Sequence, residues 1–184
     1  ATLGLLQATY AAATGRAGEC RSGVDEPALR EAVTGYAALQ RSAGLSGANI
    51  PAKAQLGEAR ARMCLDAAGR PDDGHGRKLL REVVAAYDPG DPDDDVRELA
   101  AEAEALAGDH DARRAATPGD LRAAAGHLGR AVELSTFTDR RLAFTLAQAQ
   151  ILQRAGDPDG ACAKVREARQ LVAPSPLAQN AGCP

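Results

Sequence analysis

The side chains best suited to covalent chemistry are four cysteines, Cys20, Cys64, Cys162 and Cys183. None belongs to a C-x-x-C pair and none has a histidine at metal-ligand spacing, which argues against a zinc or thioredoxin-like site and favours disulfides. Cys183 lies in a terminal stretch, residues 174–184, too rich in Pro and Gly for a helix. A thiol there adds little to a core, whereas a bridge to Cys162 would tie the stretch to the last helix. Cys20 falls in a loop and Cys64 in a later helix, so a second bridge between them would join neighbouring hairpins. Two disulfides imply an oxidising compartment, and the alternative is four reduced thiols in the cytoplasm. The first thirteen residues lack a basic n-region, so an exported protein is expected to be met here as a mature form or an excised ectodomain.

Oxygen-rich segments come next. Asp91, Asp93, Asp95 and Glu102 occupy positions 1, 3, 5 and 12 of a calcium-loop spacing. Position 6 is Val96, where the sharp turn needs glycine, and the simpler account is a helix start, at which acidic residues cap free N–H groups and oppose the dipole. Asp157-Pro158-Asp159-Gly160 reads in the same way, as a turn before a helix. His75, His110 and His127 are isolated, with His75 in a Gly-flanked loop. There is no G-x-S-x-G, Walker loop, G-x-G-x-x-G or H-E-x-x-H. The expectation is a protein that is not an enzyme and uses no metal and no cofactor.

The elements that must position these residues are helices. Alanine, the best helix former, occurs 42 times, whereas Val, Ile, Phe and Tyr are scarce, so an all-β fold is nearly excluded. Leu, Ile, Val and Phe together make 32 of 184 residues, a lean core, but a net charge of −3 brings little self-repulsion. Apolar spacings of three and four predict eight helices. They run over about 3–13, 27–42, 51–68, 76–87, from the Asp93–Asp95 run to about Leu106, and then 119–134, 138–154 and 158–172. Lean packing of this kind leans on helix propensity and on cross-links.

Two recurrences pair the helices. Glycine follows the odd-numbered ones at Gly15, Gly69, Gly108 and Gly156, where it suits a left-handed cap. Each following helix repeats small or apolar residues at zero, four and seven: Ala32-Tyr36-Leu39, Leu80-Val84-Tyr87, Ala124-Leu128-Ala131 and Ala161-Val165-Ala168. Four helix–turn–helix units with one internal pattern predict a stacked helical repeat over residues 1–173, with 174–184 as a tail.

Here the chain resembles the tetratricopeptide family, best over Leu142–Ser175. Gly156-Asp157 stands at the inter-helix turn, Ala161, Val165 and Ala168 follow on the second helix, and Pro174 comes just after. The other turns are longer, running from Gly15 to Ala32, Gly69 to Leu80 and Gly108 to Ala124, and the first helices lack the Leu-Gly-x-x-Tyr pattern, with Gln148 where a leucine is expected. The resemblance implies an all-α right-handed superhelix that binds a protein or peptide along a concave groove lined by first helices. Carried to the well-matched unit, it places Leu146, Gln150, Gln153 and Arg154 toward that groove.

Charge is unevenly spread. Residues 71–111 hold 13 acidic and 4 basic side chains, and residues 112–184 hold 10 basic and 6 acidic. Such a field can orient a charged partner, mainly through the on-rate. The pairs Arg113-Arg114 and Arg140-Arg141 suit an acidic peptide or phosphate. A pI near 5.6 offers no general attraction to nucleic acid, and no apolar run is long enough for a bilayer. Nineteen Arg against three Lys, with abundant Ala, point to a GC-rich bacterial genome. The expected role is a protein- or peptide-binding scaffold in an extracytoplasmic part of a larger envelope or signalling protein. The alternative is a small-molecule- or ion-sensing all-α domain of a membrane-coupled regulator.

Overall fold

The computed structural model describes residues 3–14, 20, 24–41, 49–69, 73–90 and 93–172, and within them the chain is all-helical. The helices are α1 (Leu3–Thr14), α2 (Glu26–Arg41), α3 (Ile50–Ala67), α4 (His75–Ala85), α5 (Asp94–Arg114), α6 (Pro118–Leu134), α7 (Thr138–Arg154) and α8 (Pro158–Leu171). Their starts follow from local chemistry. The Asp25 carboxylate accepts from the Ala28 N–H before Pro27 has passed the first turn of α2. Thr117 and Asp120 form a reciprocal capping box at α6, with Pro118 inside it. Asp93 and Asp157 cap α5 and α8 through the N–H groups of Asp95 and Gly160, both at 2.9 Å. Both acidic segments are thus helix starts; Asp91 lies outside the described residues.

Two of the expected glycine caps are present, since Gly69 and Gly156 have φ of +81° and +73°. Gly15 lies outside the described residues. Gly108 corrects the expectation, because α5 runs straight through it to Arg114. A methyl group on Gly108 would come within 2.9 Å of the Ala124 carbonyl oxygen, so this glycine lets α5 and α6 approach closely. The helix continues past it because buried Ala112 still has a partner, and because Asp109 and Arg113 pair one turn apart. His75, expected in a loop, is the first residue of α4.

The chain divides into two compact units, Ala1–Gly90 and Asp91–Pro184, so the expected repeat region holds two cores. In the first unit α1 packs on α2 and α3, α2 on α3, and α3 on α4. Leu6, Leu29, Ala32, Tyr36, Leu39, Ala54, Ala61 and Cys64 form its centre. Tyr36, 2% exposed, fits where Gly57 leaves a notch in α3. The Cys20–Cys64 disulfide links the connection after α1 to the last turn of α3. In the second unit α5 packs on α6, α6 on α7 and α7 on α8, with a centre of Ala112, Ala124, Ala125, Leu128 and Ile151. Cys162 on α8 is also disulfide-bonded, and its expected partner Cys183 lies, like the whole tail 174–184, outside the described residues. None of the described helices is long and apolar enough to cross a membrane.

Candidate functional site

The candidate site is α7 and what holds it. Thr138–Arg154 is helical as the sequence predicts, but the residue before it, Phe137, has no side chain able to cap the free N–H groups. A carboxylate from α5 instead holds the backbone that leads into the helix, up to the N-cap N–H itself. Glu98, 5% exposed, accepts from the Ser135 hydroxyl at 3.1 Å, the Thr136 hydroxyl at 2.8 Å, the Thr136 N–H, and the Phe137 N–H at 3.3 Å. Arg140, in the first turn of α7, lies 3.5 Å from both Glu98 and Glu102. At the opposite end the Arg154 guanidinium donates to the Ala112 carbonyl at 2.8 Å. Start meets start and end meets end, so α5 and α7 run parallel, with α6 antiparallel and packed on both.

A second buried carboxylate joins α5 to α6. The His127 Nδ1 lies 2.6 Å from a Glu104 oxygen, and the Arg130 guanidinium donates to the same carboxylate at 3.1 Å. The Arg130 guanidinium also lies 2.7 Å from the same ring nitrogen, so His127, Arg130 and Glu104 form one cluster. Burial by itself raises the affinity of both carboxyls for a proton. At Glu98 the hydrogen bonds from Thr136, Ser135 and Phe137 outweigh burial, and at Glu104 those from His127 and Arg130 do, so both groups are held below the usual carboxylate range. The unfolded chain therefore binds more protons than the folded one in acid. The stability these two groups contribute is complete above the ordinary value of 4.5 and is lost as pH falls through their depressed folded values. Urea midpoints of the second unit should fall below about pH 4.5. The decline should be shallower in a Glu98→Gln, Glu104→Gln variant, and an identical decline would assign the acid sensitivity to other groups.

These pairs absorb part of the charge asymmetry. Arg130 and Arg140 answer α5 carboxylates, and Arg97 donates to the Glu133 carbonyl at 3.1 Å. Arg113 pairs with Asp109 on its own helix. The two arginine pairs do not form one cluster of open cations. Two of the three histidines share one aspartate, and the third stands apart in the first unit. His110 lies 3.4 Å from Asp111, His127 3.6 Å from the same aspartate, and His75, in the first unit, 3.6 Å from Glu58. Among the described residues no group of three or more His, Cys, Asp or Glu side chains is arranged to hold a metal ion.

The outward face of α7 carries the groove residues expected from the sequence. Leu146 is 39% exposed, and Gln150 and Gln153 follow it at helical spacing, both exposed. On the opposite face buried Gln148 donates to the Ala125 carbonyl of α6 at 3.0 Å, across Gly129, which leaves room for its amide. Arg154, placed with the groove residues from the sequence, is also exposed, and its guanidinium reaches the Ala112 carbonyl of α5. Phe137 is 51% exposed, and the Arg140 guanidinium sits 6.0 Å from its ring centroid.

Sequence reading missed the buried carboxylates Glu58, Glu98 and Glu104. No local signal marks them, because a carboxylate is buried only where groups far along the chain satisfy it. No family model, no curated protein and no solved structure matches the chain.

Proposed function

We propose that this chain is a non-enzymatic scaffold that binds a protein or an extended peptide, and that α7 supplies part of the binding surface. The single observation that carries the reading is the open face of α7. Leu146, Gln150 and Gln153 stand exposed in one row, while the opposite face packs on α6 and α8 and both ends of the helix are fixed by α5. A rigid helix offering one apolar contact and two amides suits an extended backbone, whose N–H and C=O groups need partners along their length. The parallel pair α5 and α7, with α6 and α8 alternating beside them, supports the finer proposal of tetratricopeptide-like units wound into a right-handed superhelix. The Cys20–Cys64 bridge supports an extracytoplasmic setting, as part of a larger bacterial envelope or signalling protein.

Peptides selected from a displayed random library on the full chain provide the test. The triple variant Leu146→Glu, Gln150→Ala, Gln153→Ala should weaken selected peptides by about tenfold or more, since interface centres concentrate the binding energy. The melting temperature should be unchanged, because all three side chains are exposed. Peptides that bind the triple variant as well as the parent would sink this assignment.

A further inference from the structure

We infer that the Cys20–Cys64 disulfide is a releasable latch on α1, opened by thiol–disulfide exchange that enters at Cys20 and expels Cys64. The inference stands apart from the binding face of α7 and concerns the first unit alone.

The two sulfurs differ in their surroundings. Cys64 is fully buried in the core of the unit, whereas Cys20 is partly exposed. An incoming thiolate therefore reaches Cys20 first. The Tyr10 hydroxyl lies 3.4 Å from the Cys64 sulfur. A disulfide sulfur carries no hydrogen, so the phenol is the donor, and it is in place to stabilise the thiolate that leaves. In the exchange a dithiol reductant attacks Cys20 Sγ. The new bond joins its sulfur to Cys20, and the electron pair of the old S–S bond departs on Cys64. The second thiol of the reductant then attacks the reductant's own sulfur in the mixed disulfide and releases Cys20. The reductant ends as a disulfide; the protein has gained two electrons and, at its two cysteines, two protons.

The bond holds a short helix with little buried surface of its own. α1 has twelve residues, of which only Leu6 and Ala13 are buried. A helix of that length is marginal without a partner. Leu6 seats in the space left open by Gly35 of α2, and Tyr10 meets α3 beside the bridge. α2 and α3 also pack directly on each other, with Tyr36 against Gly57, in a core that Leu6 and Ala13 of α1 join from one side. Cutting the bridge removes the constraint at the C-terminal side of α1 and leaves α2–α3 packed. Opening is thus local, and it uncovers the apolar seat at Gly35.

Hydrogen exchange of the full chain at neutral pH, with and without excess dithiothreitol, tests the latch, while differential alkylation and peptide mapping follow each cysteine. Amides of Leu3–Thr14 should exchange about tenfold faster or more once Cys20 and Cys64 are reduced, with α2 and α3 within about twofold of the oxidised protein. Tyr10→Phe should slow the native-state reduction about threefold, an effect on the leaving thiolate that a purely structural tyrosine would not have. Joint loss of protection in α1, α2 and α3, unchanged exchange in α1, or reduction only in denaturant would overturn the latch. A parental or faster rate in Tyr10→Phe would overturn the assigned path, with Cys64 as the leaving sulfur.

Discussion

Replacing Glu98 by alanine should destabilise the Asp91–Pro184 unit by about 3 kcal/mol, within the roughly 3–5 kcal/mol range seen when one partner of a buried charged network is removed. The carboxylate is 5% exposed and serves three successive residues, Ser135, Thr136 and Phe137. Its loss strands the N–H groups of Thr136 and Phe137, which lead into α7. An unmet donor of this kind costs about 1–3 kcal/mol, and hydrogen bonds to a charged acceptor contribute about 1.5–3 kcal/mol each. Some of that loss is recovered because Thr136 and Phe137 are exposed enough to turn to water. Glu102 is the control: it meets the same Arg140 at 3.5 Å, while the N–H groups of Thr136 and Phe137 go to Glu98. Glu102→Ala should therefore cost under about 1 kcal/mol. Equal losses for the two variants, read from urea midpoints, would show that Glu98 acts only as an ion-pair partner.

A second large effect belongs to the first unit. Tyr36→Ala should cost about 3–4 kcal/mol, the usual range for removing a buried aromatic side chain. The ring is 2% exposed and fills the notch at Gly57, where an added methyl group would overlap it. Burial also pushes the Tyr36 phenol up, in keeping with a ring withdrawn from water. Gly57→Ala alone should destabilise, since the overlap outweighs the roughly 1 kcal/mol that alanine brings to a helix interior. In the Tyr36→Ala background the overlap is gone, so Gly57→Ala should become neutral or stabilising. The sign change is the decisive reading of this double-mutant cycle. Additive losses would place the Tyr36 ring elsewhere than over Gly57.

The ends of the helices were the most legible feature. Pro27, Pro51 and Pro158 mark first turns, and Gly69 and Gly156 mark stops. α7 covers the predicted residues from Thr138 to Arg154. These signals act within a few residues of the position they govern, so no distant partner is needed to read them. Gly108 shows the limit. Its sequence context, Ala107-Gly108-Asp109, resembles those of the two real caps, but a neighbouring helix holds it in the middle of α5. Glycine lowers the cost of two outcomes, a left-handed turn and a close helix contact, and the local sequence does not distinguish them.

The candidate site divides along the same line. Leu146, Gln150 and Gln153 could be set on one face of α7 from spacing alone, because helical period decides which residues share a side. Arg154 adjoins the same row, yet its guanidinium reaches the Ala112 carbonyl, a partner 42 residues away. Glu98 gave no local sign of burial, since a charge enters a core only where other groups satisfy it. Those groups stand 37 to 39 residues along the chain.

The amino-acid order alone determined an alanine-built helical protein, the places where its helices begin, and the even set of cysteines available for cross-linking. Propensity, capping and period are short-range properties, and each can be read from neighbours in sequence. Tertiary structure decided that there are two cores, that Gly108 is a contact and not a stop, and that α5 carboxylates hold the approach to α7 and clasp α6. Each of those outcomes depends on which distant groups exclude water from one another, and burial of that kind is a property of the packed chain.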